Sequence, residues 1–238
     1  MTIRINCWSG PRNISTALMY SFRQRPDTTV VDEPLYAHYL RVTGRVHPGR
    51  DAVLRTQSSD GAAVVANQIL GEFDTPVVFF KQMAHHLVDL DRSFLGRCCN
   101  ILLTRHPAEM IASFAVNVPD VGLADTGLTQ LVELLDAILD AGDEPVVIDS
   151  QILLSDPQRV LTEVCRRVGL DFDEAMLSWP PGAKPEDGSW GEHWYHGVRN
   201  STRFSPRATK NVSLPPALEP VLAQALPLYE RLVAHAVT

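Results

Sequence analysis

The 238-residue chain holds only three lysines, Lys81, Lys184 and Lys210, and its formal net charge is −7. That balance speaks against a general nucleic-acid binder or a membrane-surface binder, both of which favour basic chains. A local anion site is still open to it. Apart from those lysines the positive charge is arginine, whose planar fork suits phosphate oxygens. Cysteine is sparse as well. Cys7, Cys98, Cys99 and Cys165 form no C-x-x-C pair, so a zinc site or any other metal site is not expected. Reduced, buried thiols in a cytoplasmic protein are the simplest reading. No apolar run approaches the roughly 20 residues of a membrane helix. No basic-then-apolar leader precedes the first strand-like run, and there is no internal repeat or low-complexity tract.

Apolar residues make up 45% of the chain, enough for one sizeable core over 1–238. Short β-branched runs apolar on both faces predict buried parallel strands at Ile3–Trp8, Thr28–Asp32, Pro76–Lys81, Cys98–Thr104 and Pro145–Ile148. Helical patterns lie between them, at Asn13–Arg25, Gly61–Glu72, Ala108–Asn117, Leu128–Ala141, Asp156–Gly169 and about Pro216–Ala236. Alternation of this kind predicts a three-layer α/β fold, a mostly parallel five-stranded sheet flanked by helices. Two stretches break the pattern. Arg41–Asp60 is polar and reads as a loop or lid. Residues 179–210 form an irregular, aromatic and partly basic segment that suits a lid, a cofactor-closing loop or a contact between two copies in a homodimer.

Ligands of such sheets bind beyond the carboxyl ends of the strands. That places weight on Ser9–Thr16, Glu33, Lys81 and its followers, Arg105 and Asp149. The first of these, a turn with Gly10 and Pro11 between strand and helix, aims backbone N–H groups at an anion. Arg12 adds a positive fork, and Ser15 and Thr16 add hydroxyls. The triphosphatase loop G-x-x-x-x-G-K-[ST] is not present: counted from Gly10, its last three positions are Ser15, Thr16 and Ala17. Without that lysine and Mg²⁺ hydroxyl, the loop suits a ligand with less charge at the transferred group. Arg105 and Ser113 on the following helix form a plausible clamp for a second phosphate. A strand-end Arg and a helix Ser bonded to its own backbone is the plainer alternative.

Pro11-Arg12-Asn13-Ile14-Ser15-Thr16 resembles the P-K-S-G-T-T loop of sulfotransferases that use 3′-phosphoadenosine-5′-phosphosulfate. The run from Arg105 to Ser113 is similar to their second signature, an Arg and a Ser eight positions apart on the 3′-phosphate. Pro145–Asp149, Asp156–Leu161 and Val168-Gly169-Leu170 follow the family's later strand and helix. Two loop positions depart: the family Lys is Arg12, and the family Gly is Ile14, whose side chain disfavours glycine-only backbone conformations.

The resemblance implies transfer of a sulfonate from 3′-phosphoadenosine-5′-phosphosulfate to a hydroxyl or amine of a small-molecule acceptor, without a metal. It implies that Arg12, Asn13, Ile14, Ser15 and Thr16 hold the 5′ end, that Arg105 and Ser113 hold the 3′-phosphate, and that Arg199, Ser201 and Arg203 close over it, with Arg207 nearby. Glu33, in a Glu-Pro segment similar to that of carbohydrate-type members, is the expected base. His85 is the alternative, and Lys81 is expected to support the transition state. A nucleotide kinase or triphosphatase, or a non-catalytic nucleotide-binding module on the same fold, are the competing readings.

Overall fold

The computed structural model describes residues 2–206 and 212–237. Five strands form its sheet: β1 (Ile3–Ser9), β2 (Thr28–Asp32), β3 (Val77–Met83), β4 (Cys99–Thr104) and β5 (Val146–Asp149). Their order is β2-β3-β1-β4-β5, and every adjacent pair is parallel. Each lies within two residues of its predicted range. The sheet is thus wholly parallel, which agrees with strands apolar on both faces.

The helices follow in chain order. They are α1 (Ser15–Phe22), α2 (Tyr36–Thr43), α3 (Arg50–Thr56), α4 (Gly61–Val64, continuing as a π turn over Val65–Ile69), α5 (Pro107–Ala115) and α6 (Leu123–Thr126). After these come α7 (Leu128–Asp140), α8 (Ser150–Ser155), α9 (Pro157–Arg167), α10 (Gly191–Trp194), α11 (His196–Arg199) and α12 (Glu219–Val233). The segment Arg41–Asp60 is not a plain loop: α2 runs into it and α3 lies inside it. Both helices are too short to be stable by themselves and are fixed by packing Tyr36, Leu40 and Val53 against Trp190 and Tyr195.

Alternate strand residues feed two cores. Trp8, Phe80 and Leu102 pack under α5, α7 and α12. Ile5, Phe79 and Ile101 pack under α1 and α9. Phe22 of α1 stacks on Phe79 with ring centroids 4.3 Å apart. Helix α1 therefore leaves β1 toward one face while α5 leaves the neighbouring β4 toward the other. Strands whose connections diverge leave a crevice at their carboxyl ends, and there the site lies. Asp149, at the end of β5, does not join it. Its carboxylate caps α8, accepting from the backbone N–H groups of Gln151 (2.8 Å) and Ile152 (3.1 Å), and also accepts from the Tyr229 hydroxyl (3.0 Å).

Candidate active site

The β1–α1 turn is held by close packing. A Cβ on Gly10 would sit 2.3 Å from the Thr126 carbonyl oxygen, so only glycine fits. Asn13 is buried. With its amide turned to satisfy both ends, it accepts from Gly10 N–H (3.2 Å) and donates to the Pro11 carbonyl (3.0 Å). Arg12 (φ 61°) and Ile14 (φ 63°) both lie in the left-handed region. The expectation that Ile14 would keep out of glycine-type conformations is corrected here. The β-branched residue takes the left-handed form, at a cost on the order of 1–3 kcal/mol. Its side chain packs on the α1 side of the core, which offsets part of that strain. Left-handed residues in such a turn gather backbone N–H groups into a concave anion-binding nest.

The β4–α5 signature meets this turn directly. Arg105 Nη1 donates to the Arg12 carbonyl (2.8 Å). Arg12 Nε donates to Ser113 Oγ (3.0 Å), and its Nη1 donates to the Trp194 carbonyl (2.9 Å). The guanidinium of Arg12 thus lies with Ser113. Arg105 also grips Glu109 through Nε (3.1 Å) and Nη2 (2.7 Å). No role for Glu109 was read from the sequence, although its spacing of four from Arg105 on a helix was the visible signal. Ser15, Thr16, Ser201 and Arg203 line the same cavity. Arg199 does not. It pairs with Asp187 (3.0 Å), a carboxylate that also accepts from the Tyr20 hydroxyl, and so fastens α11 to α1. Arg207 lies outside the described residues.

Glu33 and Lys81, which also line the cavity, belong to a buried charge cluster. Asp32 and Lys81 are register partners on adjacent strands, so their side chains share a face. Lys81 Nζ donates to Asp32 (3.0 Å), to Glu33 and to the Tyr195 hydroxyl (2.7 Å). These three partners match the three N–H bonds of an ammonium. Lys81 is therefore committed to its neighbours, a correction to its expected place on the transferred group. Burial pulls its pKa down, but Asp32 and Glu33 outweigh that and hold it above the ordinary lysine value.

Tyr195 donates to Asp32 (2.7 Å) and accepts from Trp190 Nε1 (2.9 Å), so the late segment reaches the cluster. Two carboxylates share one ammonium. Burial, together with repulsion from Asp32, pushes the Glu33 carboxyl up despite the attraction of Lys81. Glu33 also has φ 42°, a strained position directly before Pro34. Asp32, Tyr195 and Trp190 were not singled out for this cluster, because sequence spacing does not reveal contacts across 163 residues.

His85 and His86 occupy the turn after β3 and line the cavity with His47 and Tyr36. Burial lowers the pKa of His85 to about 3, so it is a poor proton acceptor near neutrality. His47, from the supposed loop, was missed. The cavity as a whole is about 840 Å³, within the range of sites for drug-sized ligands.

A sulfotransferase-domain family profile matches residues 3–236. The chain belongs to the sulfotransferase family. Three solved sulfotransferases share its fold. The sulfotransferase domain of the Synechococcus PCC 7002 olefin synthase has a TM-score of 0.56 at 18% identity, with 94% of this chain and 95% of that one covered. The domain from the curacin biosynthetic pathway has a TM-score of 0.53 at 15% identity, covering 94% and 97%. The sulfotransferase from Alicyclobacillus acidocaldarius has a TM-score of 0.56 at 15% identity, covering 100% and 98%.

Among curated proteins, this sulfotransferase-family chain is 37% identical over 232 residues to branched-chain-amino-acid aminotransferase-like protein 1 of Arabidopsis thaliana, and 35% identical to protein 2. The matches cover 97% of this chain but 42% and 41% of those proteins, so the chain spans about two-fifths of their length. No helix among the described residues is long and apolar enough to cross a membrane. In this sulfotransferase fold, Arg12, Arg105 and the β1–α1 turn line the same cavity as Glu33, a carboxylate with a raised pKa. That arrangement can hold an anionic donor and take a proton from an acceptor.

Proposed function

We propose that this chain is a sulfotransferase that takes the sulfonate of 3′-phosphoadenosine-5′-phosphosulfate to a hydroxyl or amine of a small-molecule acceptor. The observation that carries the reading is the direct contact of the two anion-binding motifs, Arg105 on the Arg12 carbonyl and Arg12 on Ser113. The residues fit a nucleotide with phosphates at both ends: a left-handed nest at one motif, a strand-end arginine at the other, and Ser201 and Arg203 beside them. When bound, the nucleotide supplies a sulfonate on a phosphate leaving group.

The chain's own residues do the rest. The nest and Ser15-Thr16 offer donors where negative charge collects on the 5′ side. Arg105 and Ser113 orient the 3′-phosphate. Glu33 accepts the acceptor's proton, and Lys81 acts as a positioning residue that fixes the Glu33 carboxylate, in company with Tyr195. The four free cysteines suit a reducing compartment such as the cytoplasm.

Isothermal titration with 3′,5′-adenosine bisphosphate tests the reading. We expect binding without added metal, weakened about 10- to 100-fold by Arg105→Ala, as loss of a charge-assisted grip requires. Absence of binding, or an affinity indifferent to Arg105→Ala, would overturn it.

A further inference from the structure

The Tyr195 hydroxyl has a full set of partners, and their chemistry fixes where its proton lies. Lys81 Nζ (2.7 Å) and Trp190 Nε1 (2.9 Å) both approach it. An ammonium and an indole N–H can only donate, so they fill the two acceptor sites of the oxygen. The hydroxyl proton is left for Asp32 Oδ2, 2.7 Å away. Asp32 Oδ2 also accepts from the Gly188 backbone N–H (3.1 Å), and Oδ1 accepts from Lys81 (3.0 Å). Two of these three donors come from the late segment. The third is the ammonium that Asp32 shares with Glu33.

The late segment is shaped to bring these groups in. A Cβ on Gly188 would clash with the Trp190 ring, so glycine lets the indole close down at that point. Trp190 is buried and stands edge-on to Tyr36 (5.2 Å). Tyr195 N–H donates to the Gly191 carbonyl (2.9 Å), which ends α10 on the tyrosine. The preceding residue, Trp194, gives its carbonyl to Arg12 of the β1–α1 turn (2.9 Å). The hydroxyl is thereby aimed at Asp32 by neighbours on both sides of it in the chain.

The two carboxylates are not equivalent. Glu33 lines the cavity, whereas Asp32 is sealed beneath it with a side chain 1% exposed. The titratable groups that face Glu33 are Asp32, Lys81 on β3, Tyr36 on α2 and Tyr195, with His86 and Cys7 behind them against Lys81. Burial holds Tyr36, Tyr195, His86 and Cys7 neutral, so Lys81 is the cation of the group. Burial and then repulsion from Asp32 resist ionisation of Glu33, while Lys81 and the Tyr195 hydroxyl favour it. Two carboxylates draw on one ammonium, and each donor given to Asp32 from elsewhere lessens its draw.

Resting on the assignment of Glu33 as the base of a sulfotransferase, we propose that Tyr195 is a positioning residue. By satisfying Asp32 it leaves Lys81 to the Glu33 carboxylate, and so sets the pH at which that base becomes available. Without the hydroxyl, Asp32 takes more of the ammonium and Glu33 keeps its proton to higher pH.

NMR of the carboxyl carbons reads the Glu33 titration directly and needs no acceptor, with the Glu33 signal identified by its loss in Glu33→Gln. We expect Tyr195→Phe to raise the Glu33 midpoint by about half a unit to one unit, the size of one hydrogen bond. Asp32→Asn should lower it by about one unit or more, because a like charge is removed. The opposite signs separate this role from a structural one: a site merely loosened would admit water and lower the midpoint in both variants. In the wild-type protein, the ring carbon bearing the Tyr195 hydroxyl should shift with the same midpoint as Glu33.

An unmoved or lowered midpoint in Tyr195→Phe overturns the proposal, as does a raised one in Asp32→Asn. If the variants do not fold, the wild-type comparison decides: a shared midpoint supports the proposal, and a Tyr195 ring carbon indifferent to Glu33 overturns it. Failure of 3′,5′-adenosine bisphosphate to bind the wild-type protein defeats the underlying sulfotransferase reading instead.

Discussion

Glu33 combines a left-handed backbone, a buried carboxyl and a shared ammonium. Each is costly in isolation, and strained residues of this kind persist where surrounding structure over-determines them. Here Glu33 N–H donates to the Lys81 carbonyl (2.8 Å), and the Glu33 carbonyl accepts from Gln57 Nε2 (3.1 Å). The backbone is thus clamped on both sides while the carboxyl waits in the cavity. Its pKa stands above the ordinary glutamate value. A base works only when ionised, so kcat should fall as pH drops through that raised value, above the usual carboxylate range. Glu33→Gln should lower kcat by about 10²- to 10⁴-fold and abolish that acid limb, with bisphosphate affinity preserved. A pH–rate profile of both proteins checks it; an acid limb retained in the variant assigns the titration to another group.

At the scale of elements, the β1–α1 turn is the least tolerant piece. Gly10 faces the Thr126 carbonyl at the α6–α7 junction, and a Cβ on Gly127 there would lie 3.4 Å from the Gly10 Cα. Gly10→Ala must push that junction away. We expect a destabilisation of about 1–3 kcal/mol, read as a lower midpoint in urea, together with weaker bisphosphate binding. Elements of this sort divide by how local their causes are. All five strands were legible because β-branched runs bounded by polar turns mark buried parallel strands. Helices α5 and α9 were legible through Pro107 and the Asp156-Pro157 cap, where the Asp156 side chain accepts from Arg159 N–H (3.2 Å).

Helix α3 was not legible, since its stability comes from burying Val53 under residues far along the chain. The site divides the same way. Arg12, Arg105 and Ser113 followed from motif spacing within contiguous stretches. The partners of Lys81, the role of Glu109 and the position of His47 depend on distant side chains meeting. Arg199, basic and in the right segment, pairs with Asp187, a contact between residues 12 positions apart that no motif announces.

For the whole molecule, the buried uncharged histidines tie stability to acidity. His85 has an ordinary pKa of 6.5 and a folded value of about 3. The folded state therefore binds fewer protons than the unfolded chain between those values. Its contribution is fully present above about pH 6.5 and is lost as pH falls toward about 3. Wild-type protein should unfold in urea at progressively lower midpoints across that window, and His85→Phe should flatten the decline. Identical slopes would place the acid sensitivity elsewhere.

Arg12 gives its main-chain oxygen to Arg105 and its guanidinium to Ser113. A single amino acid thereby latches together two signatures that lie more than ninety positions apart in the chain. Neither can drift without disturbing the other, so transplanting one motif into a foreign scaffold would deliver half a clasp. The structural unit at this crevice is the pair, with Arg12 as its pin.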